Sequence, residues 1–261
     1  MSVDFVFLDS GTGGLPYLLY LKKMCPAASC LYYADTINFP YGEKTNEEVV
    51  ACALETCKKI IEKFSPRAIV IACNTISVNS LEQLRKAYKD TIFVGTVPAI
   101  KLAAAISKKR RIGLLATNST IRHPYNQELK NKYASDCELV LRGDPELISF
   151  IEHKSFLASE EEKIKAIMPS IEYFKEQNCD VIILGCTHFL NLADLFEKVS
   201  APDIKVVDSR DGVARRALDV VKIDNNQLPQ KTKLFVSGFT AQKDEEEYKL
   251  ICGKYGIELI K

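Results

Sequence analysis

Short apolar runs alternate with longer segments of helical periodicity, and this alternation constrains the fold more than any other feature. The runs are apolar at consecutive positions and rich in β-branched residues, which is typical of strands buried on both faces. There are nine of them: Val3–Leu8, Cys30–Ala34, Ala68–Ala72, Ile92–Gly95, Arg111–Ala116, Glu138–Leu141, Val181–Leu184, Ile204–Val207 and Leu234–Val236. Helical periodicity marks Glu47–Phe64, Ser80–Tyr88 and Ile164–Phe174. The pattern predicts an α/β protein with βαβ units and mostly parallel sheets.

One strand pattern occurs twice along the chain. When Cys73 is placed over Cys186, 113 positions further on, three pairs of segments align. They are Ala68–Thr75 with Val181–His188, Ile92–Gly95 with Ile204–Val207, and, at an offset of 108, Val6–Asp9 with Leu114–Thr117. Chance explains the similarity of any single pair of apolar strands. Each copy has one further strand after its first, so four strands occur twice in the same order, and this order and the two aligned cysteines favour a duplication.

A duplicated unit predicts two pseudo-symmetric α/β domains with an active site in the cleft between them. We expect residues 1–96 plus 209–261 to form the first domain and residues 97–208 the second. The last segment, Thr232–Lys261, should add a ninth strand and a charged helix over Lys243–Gly253 to the first domain. Ligands of open α/β sheets bind beyond the carboxyl ends of the strands, where both aligned cysteines lie.

Charge and cysteine content exclude several classes of protein. The 261 residues carry 35 Lys and Arg against 34 Asp and Glu, a net charge of +1, so we expect no nucleic-acid partner. No apolar run approaches the ~20 residues of a membrane span, and the first residues lack a signal-peptide pattern. Nine cysteines without a C-x-x-C pair predict a reduced, cytoplasmic protein with no zinc site.

A glycine-rich turn, Asp9-Ser-Gly-Thr-Gly-Gly14, connects the first strand to the first helix. Such a turn lets backbone N–H groups approach an anion closely, and a phosphate and a carboxylate fit equally well. The turn is neither the dinucleotide fingerprint nor a lysine-containing phosphate loop. A plain strand-to-helix turn is the alternative, in which Asp9 orients the turn or caps the helix.

Two cysteines, Cys73 and Cys186, stand at equivalent strand ends and open turns into helices, where the helix dipole favours a thiolate. A lone cysteine there would be a buried hydrophobe, but a matched pair favours chemistry. Acyl transfer needs one nucleophile, whereas inversion of a carbon centre by proton transfer needs two acid/base groups on opposite faces. The sequence therefore predicts a two-base reaction without a cofactor or metal, although a lysine that binds pyridoxal phosphate stays open.

Several motifs resemble the cofactor-independent aspartate/glutamate racemase superfamily, and glutamate racemases in particular. These motifs are Asp9–Gly14, Ala34-Asp-Thr-Ile-Asn-Phe-Pro-Tyr-Gly42, Ala72-Cys-Asn-Thr-Ile-Ser77, Leu184-Gly-Cys-Thr-His188 and, less strongly, Ala116–Thr120 and Phe150–Glu152. The Thr-His pair after the second cysteine favours glutamate over aspartate as substrate. The resemblance implies interconversion of L- and D-glutamate, with D-glutamate supplied for peptidoglycan, and a homodimer is compatible with it.

The resemblance also implies roles for individual residues. Cys73 matches the base for D-glutamate and Cys186 the base for L-glutamate, with Asp9 near the first and Glu152 and His188 near the second. Other matched positions contact substrate: Ser10, Tyr41, Gly42, Asn74, Thr75, Thr117, Thr120 and Thr187, together with Asp9 and His188.

These assignments have structural alternatives. Tyr41 and Gly42 could form only a turn, Asn74 and Thr75 could cap a helix, and Glu152 could lie on a solvated face. Two other functions also stay open. They are a racemase of aspartate or another acidic amino acid, and a non-catalytic amino-acid-binding protein.

Overall fold

The computed structural model describes residues 3–224, 227–239 and 242–260. What the sequence predicts for the first two residues, and for Thr240, Ala241 and Lys261 of the last segment, lies outside these ranges. The chain divides into two compact units. Unit 1 comprises Met1–Thr96 and Arg210–Lys261, and unit 2 comprises Val97–Ser209.

The described residues form ten strands, eleven α-helices and three 3₁₀ helices. The strands are β1 (Phe5–Asp9), β2 (Cys30–Ala34), β3 (Ala68–Ile71), β4 (Ile92–Gly95), β5 (Arg111–Ala116), β6 (Glu138–Gly143), β7 (Val181–Leu184), β8 (Lys205–Val207), β9 (Lys233–Val236) and β10 (Glu258–Ile260). The α-helices are α1 (Leu15–Met24), α2 (Asn46–Phe64), α3 (Asn74–Ala87), α4 (Ile100–Ile106), α5 (Asn118–Arg122), α6 (Tyr125–Tyr133), α7 (Pro145–His153), α8 (Glu160–Glu176), α9 (Ala193–Ser200), α10 (Arg210–Val220) and α11 (Gln242–Tyr255). The 3₁₀ helices span Thr36–Asn38, Tyr41–Glu43 and Thr187–Leu192.

Unit 1 contains a six-stranded parallel sheet in the order β10-β9-β2-β1-β3-β4. Its central strands β1, β2 and β3 are buried along their whole length, as consecutive apolar residues predict. Helix α2 packs an apolar stripe containing Val49, Ala53 and Ile60 into the core of this sheet. A capping box between Thr45 and Glu48 satisfies backbone N–H groups at the start of α2.

Unit 2 contains a four-stranded parallel sheet in the order β6-β5-β7-β8. Its core includes Ile112, Leu114 and Ile183 from the central strands β5 and β7, each fully buried. Gly113 of β5 is required because a Cβ there would lie 2.5 Å from the ring of Phe174 in α8. The two sheets of parallel strands confirm the predicted α/β class.

The strand orders confirm the four-strand repeat and correct one of its offsets. Strands β2-β1-β3-β4 of unit 1 and β6-β5-β7-β8 of unit 2 follow the same order. In the sheets Leu8 pairs with Ile71, and Leu115 pairs with Leu184. Ile71 and Leu184 are 113 positions apart, like the two cysteines, so their partners Leu8 and Leu115 are equivalent. Strands β1 and β5 therefore align at an offset of 107, not 108. A shift of one residue reverses which side chains face each side of a strand. The sequence could not fix this register because both strands are apolar at consecutive positions.

The C-terminal segment joins the first sheet, since β9 pairs with β2, as the sequence predicts. Strand β10 was not predicted, because its three residues lie at the sheet edge and none is fully buried. Helix α3 begins at Asn74 rather than Ser80, because small polar residues hide the helical stripe of its first turns. Within the described ranges, no helix is long and apolar enough to cross a membrane.

Candidate active site

Asp9, the last residue of β1, organises the glycine-rich turn of unit 1. Its fully buried Oδ2 accepts a hydrogen bond of 2.6 Å from the N–H of Gly14, at the start of α1. The hydroxyl of Tyr32 lies 3.4 Å from the same oxygen and donates to the carbonyl of Gly11 at 2.8 Å. The carboxylate therefore fixes the turn, which is the orienting role expected of Asp9. Tyr32 gives no signal in the sequence, because it resembles any other buried strand residue of β2.

Glycine at position 14 brings this turn against the segment that carries Cys73. A Cβ on Gly14 would lie 2.6 Å from the carbonyl oxygen of Ala72 and 3.0 Å from Cβ of Asp9. We expect Gly14→Ala to lower the free energy of unfolding by about 1–3 kcal/mol in urea titrations, because backbone must move. Gly212→Ala is the matched control, since nothing lies within 4 Å there, and it should stabilise helix α10 slightly. Equal stability of the Gly14 variant and the parent would contradict the prediction.

Cys73 occupies the N-cap position of α3, two residues beyond the end of β3. The N–H of Ala72 donates to the carbonyl of Leu8 at 2.8 Å, which continues the pairing with β1 and holds the thiol beside the Asp9 turn. Cys73 is 6% exposed. A buried network of Ser77 and Thr96 supports the turn, since both hydroxyls donate to the carbonyl of Ile71.

Asn74 follows the thiol with an unsatisfied side chain. It is 3% exposed, and neither Oδ1 nor Nδ2 has a hydrogen-bond partner in the described part of the chain. Buried amides are nearly always hydrogen-bonded, so a group of this kind points to a ligand. Its neighbour Thr75 is also buried, and its carbonyl accepts from Asn79. Cys73, not Asn74 or Thr75, takes the N-cap position, so the capping alternative is wrong.

Tyr41 is held by the carboxylate of Asp35, a residue that was not among the predicted site residues. Its hydroxyl donates to Oδ2 of Asp35 at 2.6 Å, and Thr56 and Asn38 donate to the same oxygen at 2.9 Å. Burial raises the pKa of Tyr41, and the adjacent charge of Asp35 raises it further. Tyr41 therefore stays a neutral phenol. The motif containing Tyr41 also includes Asp35, and that was the available signal.

The remaining predicted residues of unit 1 lie near these groups in sequence. Ser10 is buried directly after Asp9, and Gly42 is half-buried in the 3₁₀ helix that begins at Tyr41. Unit 1 thus brings Asp9, Ser10 and Cys73 to the carboxyl ends of two adjacent strands.

Unit 2 brings its three predicted catalytic residues into one hydrogen-bonded chain. Sγ of Cys186 lies 3.6 Å from Nδ1 of His188, and Nε2 of His188 lies 3.0 Å from Oε2 of Glu152. The side chains of His188 and Glu152 are only 4% and 7% exposed, so the solvated-face alternative for Glu152 is wrong. Cys186 precedes a 3₁₀ helix rather than an α-helix.

The protonation of His188 follows from its two partners. Burial alone would lower the pKa of His188, but its hydrogen bonds to Cys186 and Glu152, and their negative charge, raise it well above 6.5. At neutral pH both ring N–H groups of the imidazolium donate, Nδ1 to the sulfur and Nε2 to the carboxylate. An adjacent imidazolium favours the thiolate form of a cysteine. A charged imidazole thus lies against the sulfur of Cys186.

Threonines complete the polar end of the second sheet. Thr117 follows β5 and accepts a hydrogen bond of 3.1 Å from the N–H of Thr120, to whose hydroxyl it donates at 2.9 Å. Thr187, directly after Cys186, is 2% exposed. The N–H of Gly185 donates to the carbonyl of Leu115 at 2.7 Å, so the segments of Thr117 and Cys186 lie side by side. His153 is exposed and His123 is half-buried, outside the Cys186–His188–Glu152 chain.

Comparison with known proteins gives one consistent family. A family model described as Asp/Glu/hydantoin racemase matches residues 19–217. A glutamate racemase from Treponema pallidum (strain Nichols) is 41% identical over 235 residues, which cover 90% of this chain and 87% of that protein. Another from Actinobacillus pleuropneumoniae is 35% identical and covers 99% and 97% of the two chains.

Solved structures show the same relationship. The crystal structure of Escherichia coli glutamate racemase in complex with L-glutamate and the activator UDP-MurNAc-Ala superposes with a TM-score of 0.85. It is 29% identical, and the match covers 98% of this chain and 97% of that one. An aspartate racemase from Picrophilus torridus, 17% identical with a TM-score of 0.58, covers 85% and 95% and shares the fold.

Proposed function

Since the chain belongs to the Asp/Glu/hydantoin racemase family, we propose that it interconverts L- and D-glutamate by moving the α-proton between two thiols. The observation that carries the proposal is a cysteine at the same strand end of both repeats. One of these cysteines has a buried imidazolium beside it. Glutamate racemases at 35–41% identity over most of their length support glutamate as substrate.

The proposed reaction needs one base and one acid. The Cys186 thiolate removes the α-proton of L-glutamate, which leaves a carbanion and a Cys186 thiol. The Cys73 thiol then donates its proton to the opposite face, which forms D-glutamate and a Cys73 thiolate. The reverse reaction begins at Cys73. No electrons are exchanged, and the proton lost from the substrate is replaced by one from the second thiol.

Helper groups tune two chemically identical thiols. Glu152 holds His188, and the imidazolium of His188 stabilises the Cys186 thiolate at 3.6 Å. For the other thiol, Cys73, we propose Asp9 as the group that assists proton transfer.

The buried amide of Asn74 supplies both a donor and an acceptor for the polar groups of glutamate. Thr117, Thr120 and Thr187 supply hydroxyls for its carboxylates. The other proposed contacts to glutamate come from Ser10, Thr75, Tyr41 and Gly42.

The thiol chemistry also suggests where the protein works. Only a reduced cysteine can act as base, so we place the enzyme in the cytoplasm, where thiols stay reduced. We further propose that no cofactor takes part and that the D-glutamate formed supplies peptidoglycan synthesis. The resemblance to glutamate racemases supports both statements.

Proton exchange in D₂O tests the function directly. Incubation with L-glutamate should give D-glutamate, and NMR should show deuterium at the α-carbon of the product. The solvent deuteron enters because the thiols exchange with water between turnovers. L-Aspartate is the matched control. Exchange with aspartate alone would make the protein an aspartate racemase, and no exchange with either would make it a binding protein.

A further inference from the structure

The geometry of unit 2 points to Asp144 as a positioning residue: through helix α7 it holds Glu152 against His188. This inference rests on the proposed function. Asp144 does not contact the proposed catalytic groups itself. It stands at the beginning of α7, and Glu152 lies near the end of the same helix.

The carboxylate of Asp144 joins three elements. Its Oδ1 accepts from the N–H of Leu147 at 3.0 Å and so caps α7. Its Oδ2 accepts from the hydroxyl of Ser170 in α8 at 2.6 Å, and that hydroxyl accepts from Nε of Arg142 in β6 at 2.9 Å. Ser170 is fully buried and Asp144 is 8% exposed. Strand β6, helix α8 and the start of α7 are therefore fixed to one another by a buried polar cluster.

Helix α7 depends on this cluster. It has nine residues, and helices shorter than ~12–15 residues are marginal without caps and packing. Leu147 and Ile151 are its buried apolar residues. Glu152 follows Ile151 directly, near the other end of α7, so a shift or rotation of the whole helix moves the carboxylate that His188 contacts at 3.0 Å. At 3.0 Å the contact is already slightly longer than the roughly 2.7–2.9 Å of a typical charged hydrogen bond, so a further displacement weakens it.

The repeat supplies an independent reason to assign positioning to this residue. Asp144 is the counterpart of Asp35 in the repeat. The N–H of Asp35 donates to the carbonyl of Asp9, the last residue of β1. In the same way, the N–H of Asp144 donates to the carbonyl of Ala116, the last residue of β5. Asp35 holds the hydroxyl of Tyr41 in unit 1. An aspartate at the same strand end thus orients a proposed site residue in each unit.

The test compares variants of the cap in the full-length enzyme. We expect Asp144→Ala to lower kcat about fivefold in both directions with little change in KM for glutamate, because capping is lost and substrate contacts are not. Asp144→Asn should restore most of the activity, since asparagine caps helices as well as aspartate does. Ser159→Ala is the matched control, because Ser159 caps the first turn of α8, about three turns before Ser170, and contacts none of the groups of the cluster.

The second readout is the titration of His188 by NMR. Loss of the Glu152 contact removes one cause of its raised pKa, so the pKa of His188 should fall in Asp144→Ala. His123, which lies outside α7, serves as the internal reference. This measurement needs no racemisation, so it tests Asp144 even if the proposed function fails. If Asp144→Ala does not fold, Ser170→Ala replaces it and should lower the pKa of His188 in the same direction. A folded variant in which His188 titrates as in the parent, or an equal effect of Ser159→Ala, would overturn the inference.

Discussion

Replacing either Cys73 or Cys186 with alanine is expected to abolish racemisation in both directions. Each thiol is the only acid or base proposed for its face of the α-carbon, so removing one leaves no proton donor or no proton acceptor. Assistance by a positioned acid or base accounts for about 10²–10⁴-fold, and the loss should reach or exceed the upper end of that range. Circular dichroism of glutamate, followed from the L and from the D side, measures it.

Control variants separate catalysis from packing. Cys179 is also buried, at 2% exposure, yet it lies before β7 rather than beyond it. Cys179→Ala should keep near-parental turnover, whereas serine at position 73 or 186, a poor base at neutral pH, should leave severe but incomplete losses. Near-normal turnover in either alanine variant, with folding intact, would contradict the two-thiol mechanism.

Most of the fold followed from the sequence because buried parallel strands leave a direct signal. Consecutive apolar residues located β1, β5 and β7 to within a residue or two. The same property hid the exact register of β1 against β5, since a strand apolar on both faces has no alternation to align. Strand β10 escaped detection because a short edge strand has neither feature.

A proposed site residue could be predicted when its residue type is unusual for its position in the sequence. A cysteine repeated at two strand ends, or a Thr-His pair after one of them, stands out in any sequence. Asp35 and Asp144 do not, because an aspartate before a helix is ordinary as a cap. Their tertiary partners, the hydroxyls of Tyr41 and Ser170, come from residues 6 and 26 positions away and are set by the packing of helices against the sheets.

Each helper group should affect mainly one of the two proton transfers. Asp9→Asn should mainly slow proton removal from D-glutamate by Cys73. His188→Asn should mainly slow removal from L-glutamate by Cys186. Losses should lie within about 10²–10⁴-fold, since both thiols remain. Asparagine at position 9 can still accept from Gly14, so the turn is preserved.

A variant cannot change the equilibrium constant of the reaction, so kcat/KM must fall by the same factor in both directions and rates alone cannot show which proton transfer is slowed. Primary isotope effects measured with α-deuterated glutamate can show this difference, because they report which proton transfer limits the reaction. The Asp9 variant should show the larger effect from the D side and the His188 variant from the L side. Asp136→Asn, at an exposed position away from these groups, should leave the isotope effects of the parent unchanged. If both helper variants gave the same isotope effect from either side, the assignment of Asp9 to Cys73 and of His188 to Cys186 would be wrong. The assignment of the two thiols would still stand, because it depends on the alanine variants and not on their neighbours.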